Sequence, residues 1–195
     1  MKKKIIGVDL DEVLMDALTP TCHFLNKHYN AEITRADVFA HDFAAVWEQG
    51  LEEIATRMEE FYASPHHDEG VPISGAVVAI DALKDTHELH IITARPSSAK
   101  EVSVRWLEKH FPNTFKSVHF TKHYYNETSK SKGDICRELD ISIFIDDAPH
   151  NVDDVAPVVE KVFLMHSPWN KEYTPAHTNV ARVHSWKEIR EFLER

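Results

Sequence analysis

Two short apolar runs in this chain each end in paired carboxylates, and this repeated design limits the fold more than any other feature. The first is Lys4-Ile5-Ile6-Gly7-Val8, followed by Asp9-Leu10-Asp11. The second is Ile143-Phe144-Ile145, followed by Asp146-Asp147. A continuous, β-branched run of this length fits a strand buried on both faces, as in a parallel sheet covered by helices. Carboxylates side by side at such a strand end are unfavourable to bury unpaired. They call for a cation, and Mg²⁺ is the usual choice for a site built of oxygens.

The rest of the chain supplies the helices. A helix is expected near 76–86, then a strand at about Leu89–Thr93. Ser98 and Glu101 form a capping-box pattern ahead of Val102, Trp106 and Phe111. A strand near Ser117–Thr121, a helix near 132–139, a strand at about Ser142–Asp146, a helix near 151–158 and a strand near Lys161–Met165 follow. Ser185 and Glu188 mark the start of a last helix. This alternation predicts an α/β fold with a parallel sheet and helices on both faces. In such sheets ligands bind at the carboxyl ends of the strands, where the polar clusters of this chain fall.

Residues 15–75 break the alternation. Leu51, Ile54, Ala55, Met58, Phe61 and Tyr62 recur at helical spacing, and Thr34 with Asp37 resembles a helix start. Pro65, Gly70, Pro72 and Gly75 close the stretch. It reads as a helical insertion, with the core formed by 1–14 and 76–195.

Composition excludes several classes. At 195 residues the chain makes one domain, with room for a small insertion and a core that needs no staples. Two cysteines, Cys22 and Cys136, are too few for a disulfide framework and read as thiols in a reducing compartment. The formal charge of −10 disfavours long nucleic acid as a partner. Asp9 and Asp11 interrupt the first apolar run too early for a signal peptide, and no stretch is long enough to span a membrane. A cytoplasmic location is expected. The fourteen histidines are scattered and match no metal-binding spacing.

Two further segments belong with the carboxylates. Thr93 ends the run Leu89-His90-Ile91-Ile92, where a hydroxyl suits a phosphate oxygen. Lys132 opens a helix, where the macrodipole disfavours a cation unless it holds an anion. Lys130 is a rival for that role.

Val8-Asp9-Leu10-Asp11, Ile92-Thr93, Lys132 and Asp146-Asp147, in this order, resemble the four motifs of the haloacid dehalogenase (HAD) superfamily of phosphotransferases. Within it, Asp-Leu-Asp-Glu-Val-Leu, Ile-Thr-Ala-Arg-Pro and Phe-Ile-Asp-Asp look like the 5'(3')-deoxyribonucleotidase group, which commonly has Gly where this chain has Glu12. The resemblance implies a Rossmann-type core with a small helical cap at 15–75, inserted after the first strand. It implies a phosphomonoesterase in which Asp9 attacks phosphorus, Asp11 serves as general acid and then general base, and Thr93 and Lys132 hold the transferring oxygens. Mg²⁺ would lie on Asp9, the backbone carbonyl of Asp11 and Asp147, with Asp146 beside it. The implied substrate is a small phosphorylated molecule, a nucleotide first, with a sugar phosphate or other metabolite as the alternative. A catalytically silent binding protein is the reading from a different class. The dyad of acids favours a phosphatase over the superfamily's transport ATPases, which carry Thr at the second position. Phe39, Phe43 and Trp47 are candidates to stack on a base or to form the cap's own core. Arg95 fits a substrate contact or a salt bridge that ties down its loop. Lys122 and His123 are candidates to face the site.

Overall fold

The computed structural model describes residues 3–38, 50–121 and 130–194. Phe39, Phe43, Trp47, Lys122 and His123 lie outside these residues. The chain runs through β1 (Ile5–Val8), β2 (Met15–Asp16), α1 (Leu18–Tyr29), α2 (Leu51–Ala63), β3 (Val71–Pro72), α3 (Ala76–Lys84), β4 (Glu88–Thr93) and α4 (Lys100–His110). It continues through β5 (Ser117–Phe120), α5 (Lys132–Glu138), β6 (Ile143–Asp146), α6 (Pro149–Val155), β7 (Lys161–Met165), β8 (Val180–Val183) and α7 (Trp186–Leu193).

Six strands form one sheet in the order β5-β4-β1-β6-β7-β8, with every pair parallel. Strand side chains alternate between faces, and each face has its own apolar layer. Ile6, Val8, Ile91, Ile145 and Phe163 pack with Ile80 and Leu83 of α3, Trp106 of α4 and Trp186 and Ile189 of α7. On the opposite face Ile92, Phe144, Val162 and Leu164 pack with Ile135 and Cys136 of α5 and Val152 and Val155 of α6. Both faces are therefore covered, as the apolar runs predict.

The chain leaves β1 for β4 on one side and comes back to β6 on the other. The strand order reverses at β1, and the crevice beyond its carboxyl end is where such sheets hold ligands. Asp9 follows β1, Thr93 ends β4, and Asp146 ends β6. All three lie at this edge.

The helical insertion opens and closes through a clasp. Strands β2 and β3 pair antiparallel, Met15 with Pro72 and Asp16 with Val71. Between them α1 and α2 pack through Phe24, Leu25, Phe61 and Tyr62, which also meet Ala99 ahead of α4. Thr34 and Asp37 form a capping box on a short 3₁₀ turn, Arg35–Asp37. A second 3₁₀ turn, Pro65–Glu69, leads back to the clasp.

Glu12 has a left-handed backbone, φ 57°. Glycine adopts that region without strain, and a glutamate there is strained. Glu12 offsets the strain with contacts glycine lacks. Its Oε1 accepts from the backbone N–H groups of Ala17 and Leu18 at 3.0 and 2.9 Å, capping α1, and its Oε2 pairs with Arg35.

One cap prediction needs correction. Ser98 and Glu101 do not form a capping box, because Ser97–Ala99 is a 3₁₀ turn and α4 begins at Lys100 without a side-chain cap. The Ser185 cap is present, its Oγ accepting from the N–H of Glu188 at 3.3 Å.

Candidate active site

At the switch point Lys132 is the hub. Its Nζ lies 2.9 Å from Asp9 Oδ1 and 2.7 Å from Asp146 Oδ2, and its side chain is 2% exposed. Local sequence aims it there. Ser131 caps α5 by accepting from the N–H of Asp134 at 3.2 Å, so Lys132 occupies the first helical position. Gly133 next to it lets α5 press against α6. Its N–H donates to Asp154 Oδ2 at 2.7 Å, and a Cβ would stand 2.8 Å from the Asp154 carbonyl oxygen. The anion that explains a lysine at this helix start is thus partly the protein's own.

Asp146 is saturated by its surroundings. Its Oδ1 accepts from the N–H of Ala148 at 2.8 Å and from Asn151 Nδ2 at 3.1 Å, while its Oδ2 takes Lys132. Asp147 is placed differently. Its Oδ2 accepts from Trp169 Nε1 at 2.8 Å, and its carbonyl accepts from Asn170 Nδ2 at 2.8 Å. Asn170 is itself pinned by Arg182. Oxygens of Asp9, Asp146 and Asp147 all lie within 4.8 Å of one another, and all three residues are buried.

The charges explain the electrostatics. Were all three carboxylates ionised, the one ammonium that the described residues place among them would leave two negative charges unbalanced in a buried site. Burial, followed by the neighbouring carboxylates, pushes the Asp9 carboxyl up to about 7 despite Lys132. Burial with Asp146 and Asp9 also raises Asp147 well above the usual carboxylate range. Lys132 is held above its ordinary value, because Asp146 and Asp9 outweigh the effect of burial. A divalent cation would balance the excess, so the donor set fits Mg²⁺: hard oxygens, close together, with two charges to neutralise.

Asp11 stands apart from this cluster and is held by Arg95. Arg95 Nε donates to both carboxylate oxygens at 3.1 and 2.8 Å, and Nη2 donates to Oδ1 at 2.5 Å. Burial would raise the Asp11 carboxyl, but Arg95 overrides it and holds the group below its usual value. Of the two roles open to Arg95 from the sequence, the structure has the salt bridge. The residue is buried and its guanidinium is turned onto Asp11. Thr93 is buried at the end of β4, where its Oγ1 accepts from the Arg95 N–H at 3.3 Å. Lys130 is not brought to the cluster. It is exposed and pairs with Glu138 at 2.6 Å, so of the two rivals Lys132 is the one at this edge.

Trp169, Asn151, Asn170 and His67 were not found from the sequence. His67 Nε2 accepts from Arg95 Nη1 at 2.7 Å, and burial followed by Arg95 lowers its pKa to about 4. These contacts cross long stretches of chain or depend on one side-chain angle, and no spacing rule announces them. Asn151 is the exception, since it lies one helical turn beyond Asp146-Asp147 and could have been sought there.

Comparison with known proteins agrees with this geometry. The family model for 5' nucleotidase, deoxy (pyrimidine), cytosolic type C protein matches residues 3–195. A Bacillus cereus protein named "Putative nucleotidase" is 27% identical, over 97% of this chain and 97% of its own. Among solved structures, a haloacid dehalogenase-like family hydrolase, SP0104 from Streptococcus pneumoniae, superposes with a TM-score of 0.69 at 13% identity, covering 98% of each chain. YfnB from Bacillus subtilis, solved bound to magnesium, superposes with a TM-score of 0.66 at 16% identity over all of both chains. The fold is that of the HAD hydrolases. No described helix is long and apolar enough to cross a membrane.

Proposed function

This chain belongs to the 5' nucleotidase, deoxy (pyrimidine), cytosolic type C family and is a phosphatase, and from that premise we propose that it is a magnesium-dependent phosphomonoesterase that dephosphorylates deoxyribonucleotides through a phosphorylated Asp9. The observation that carries the reading is the buried cluster of Asp9, Asp146 and Asp147 around Lys132 at the switch point of the sheet. The family's description as cytosolic supports a cytoplasmic protein.

In the first step a carboxylate oxygen of Asp9 bonds to phosphorus as the bond from phosphorus to the ester oxygen breaks. Asp11, which the Arg95 fork keeps as a carboxylate at rest, takes up a proton with the bound substrate and gives it to the departing oxygen. In the second step Asp11 takes a proton from water, the water oxygen bonds to phosphorus, and the bond to Asp9 breaks. Inorganic phosphate leaves, Asp9 is a carboxylate again, and Asp11 holds a proton. Lys132 and the Thr93 hydroxyl steady the phosphoryl oxygens. Mg²⁺, held by Asp9, the Asp11 carbonyl and Asp147, would supply the positive charge that lets an anionic nucleophile approach an anionic phosphate. The helices of 15–75 serve as the cap that covers the substrate.

Trp169 belongs to this site through Asp147. Groups that orient a metal ligand typically contribute about 10–100-fold to metal affinity. Trp169→Phe is therefore expected to weaken Mg²⁺ binding by about tenfold or more, read by calorimetry on the protein without substrate. An unchanged affinity would remove Trp169 from the account.

The function is tested by phosphate release from a panel of 5'- and 3'-deoxynucleotides, ribonucleotides, sugar phosphates and an aryl phosphate, with Mg²⁺ and with a chelator. Deoxynucleotides should lead, and the chelator should stop the reaction. A sugar phosphate in the lead refutes the substrate class and leaves the chemistry. Hydrolysis of nothing on the panel brings the silent binding protein forward.

A further inference from the structure

We infer that Arg95 is the positioning residue for Asp11, and that it ties this acid to the returning end of the helical insertion; the inference rests on Asp11 being the proton-transferring group. Every N–H of the Arg95 guanidinium has a partner. Nε and Nη2 form a fork on Asp11. The other Nη2 proton faces Met15 Sδ at 3.1 Å. Nη1 donates to Ser103 Oγ of α4 at 2.8 Å and to His67 Nε2 at 2.7 Å. With five donors in total, none is left over for a phosphate oxygen.

The two ends of this pair differ in exposure. The Arg95 side chain is 1% exposed, whereas Asp11 is 33% exposed. The guanidinium is the fixed end and the carboxylate is the open one. A planar fork on a carboxylate sets its direction as well as its distance, which a lysine in the same place does not do. Proton transfer in a transition state depends on that direction, because a misplaced acid loses its contribution even when it is chemically intact.

Arg95 is also held from the insertion side. His67 sits in the 3₁₀ turn Pro65–Glu69, and the Tyr62 ring at the end of α2 lies 5.4 Å from the guanidinium carbon. Ser103 fixes it from α4, with its own hydroxyl donating to the Ala99 carbonyl at 2.7 Å. The acid is thus oriented by three elements outside its own loop: the end of α2 with its following turn, the end of β4, and α4.

The test is a series of substituted phenyl phosphates of graded leaving-group pKa, measured as kcat/KM. This constant stops at departure of the leaving group and so excludes the later hydrolysis step. An acid in place flattens the dependence on leaving-group pKa, because it matters most for poor leaving groups. Asp11→Asn should steepen the dependence, and Arg95→Ala should steepen it similarly. Phenyl phosphate should fall about 100-fold and dinitrophenyl phosphate much less. Guanidinium ion added to Arg95→Ala should flatten the line again. Arg95→Lys keeps a buried charge and guards against a variant that does not fold; it should steepen the line too. In the Asp11→Asn background, replacing Arg95 should leave the slope alone. A parallel fall for all substrates in Arg95→Ala and Arg95→Lys would mean a structural or phosphate-binding role and would overturn the inference. If Asp11→Asn itself leaves the slope unchanged, it is the acid reading that fails.

Discussion

Lys132→Met should cost about 3–5 kcal/mol of stability in the metal-free protein and abolish turnover. The size follows from what the lysine touches. It is buried between Asp9 and Asp146, with Asp147 close by, and it is the cation that the described contacts place among them. Methionine fills much the same volume, so little is lost in packing. What is lost is the partner of buried carboxylates, and a buried charge left alone is far more unfavourable than an exposed one. Domains of this kind are stable by about 5–15 kcal/mol, so the change is large but survivable. The variant should gain more than the wild type from added Mg²⁺, because its cluster carries one more unbalanced negative charge and binding to the folded state alone raises stability. Urea unfolding with and without Mg²⁺ checks both statements. A loss under about 1 kcal/mol, the scale of an exposed ion pair, would mean that the cluster is not the tight buried unit described.

Asp9→Asn is expected to separate function from folding. Deleting a hydrolytic nucleophile removes about six orders of magnitude in turnover, and the amide cannot form a phosphorylated intermediate. Stability should not fall with it. Burial already pushes the Asp9 carboxyl up to about 7, which means that its ionised form is disfavoured where it stands. The amide keeps the size and the acceptor for Lys132 while easing the crowding of like charge. In metal-free protein the melting temperature should match or exceed the wild type, as is common where catalysis places groups against stability. A variant that loses activity and stability together would assign Asp9 a structural role first.

The sheet was legible because its strands are apolar on both faces, so β1, β4, β6 and β7 stand out as continuous runs. The same property made the site legible, since carboxylates break those runs where the strands end. Short or edge elements gave no such signal. Strands β2 and β3 have two residues each, too few for any period, and exist because Met15 and Asp16 meet Val71 and Pro72 across the whole insertion. Val180–Val183 is four residues, Val-Ala-Arg-Val, with no clear period, and becomes a strand by pairing with β7. Ser98 and Glu101 have capping spacing, but Pro96 starts a tighter turn that takes up Ser98, and the helix begins only at Lys100. Arg95 shows the deeper limit. Its type and place are visible in Ile-Thr-Ala-Arg-Pro, whereas its partner lies 84 residues away, and only the closed sheet brings them together.

The central claim is a phosphoryl group carried on Asp9, and the most direct measurement is to catch it there. Wild-type protein with Mg²⁺ would be mixed with a phosphate-labelled deoxynucleotide, quenched in acid within milliseconds, digested and mapped by mass spectrometry. The account predicts label on the peptide containing Asp9, rising before free phosphate appears and absent from Asp9→Asn. Steady turnover with no label on protein at any time, or label on another residue that persists in Asp9→Asn, would contradict it.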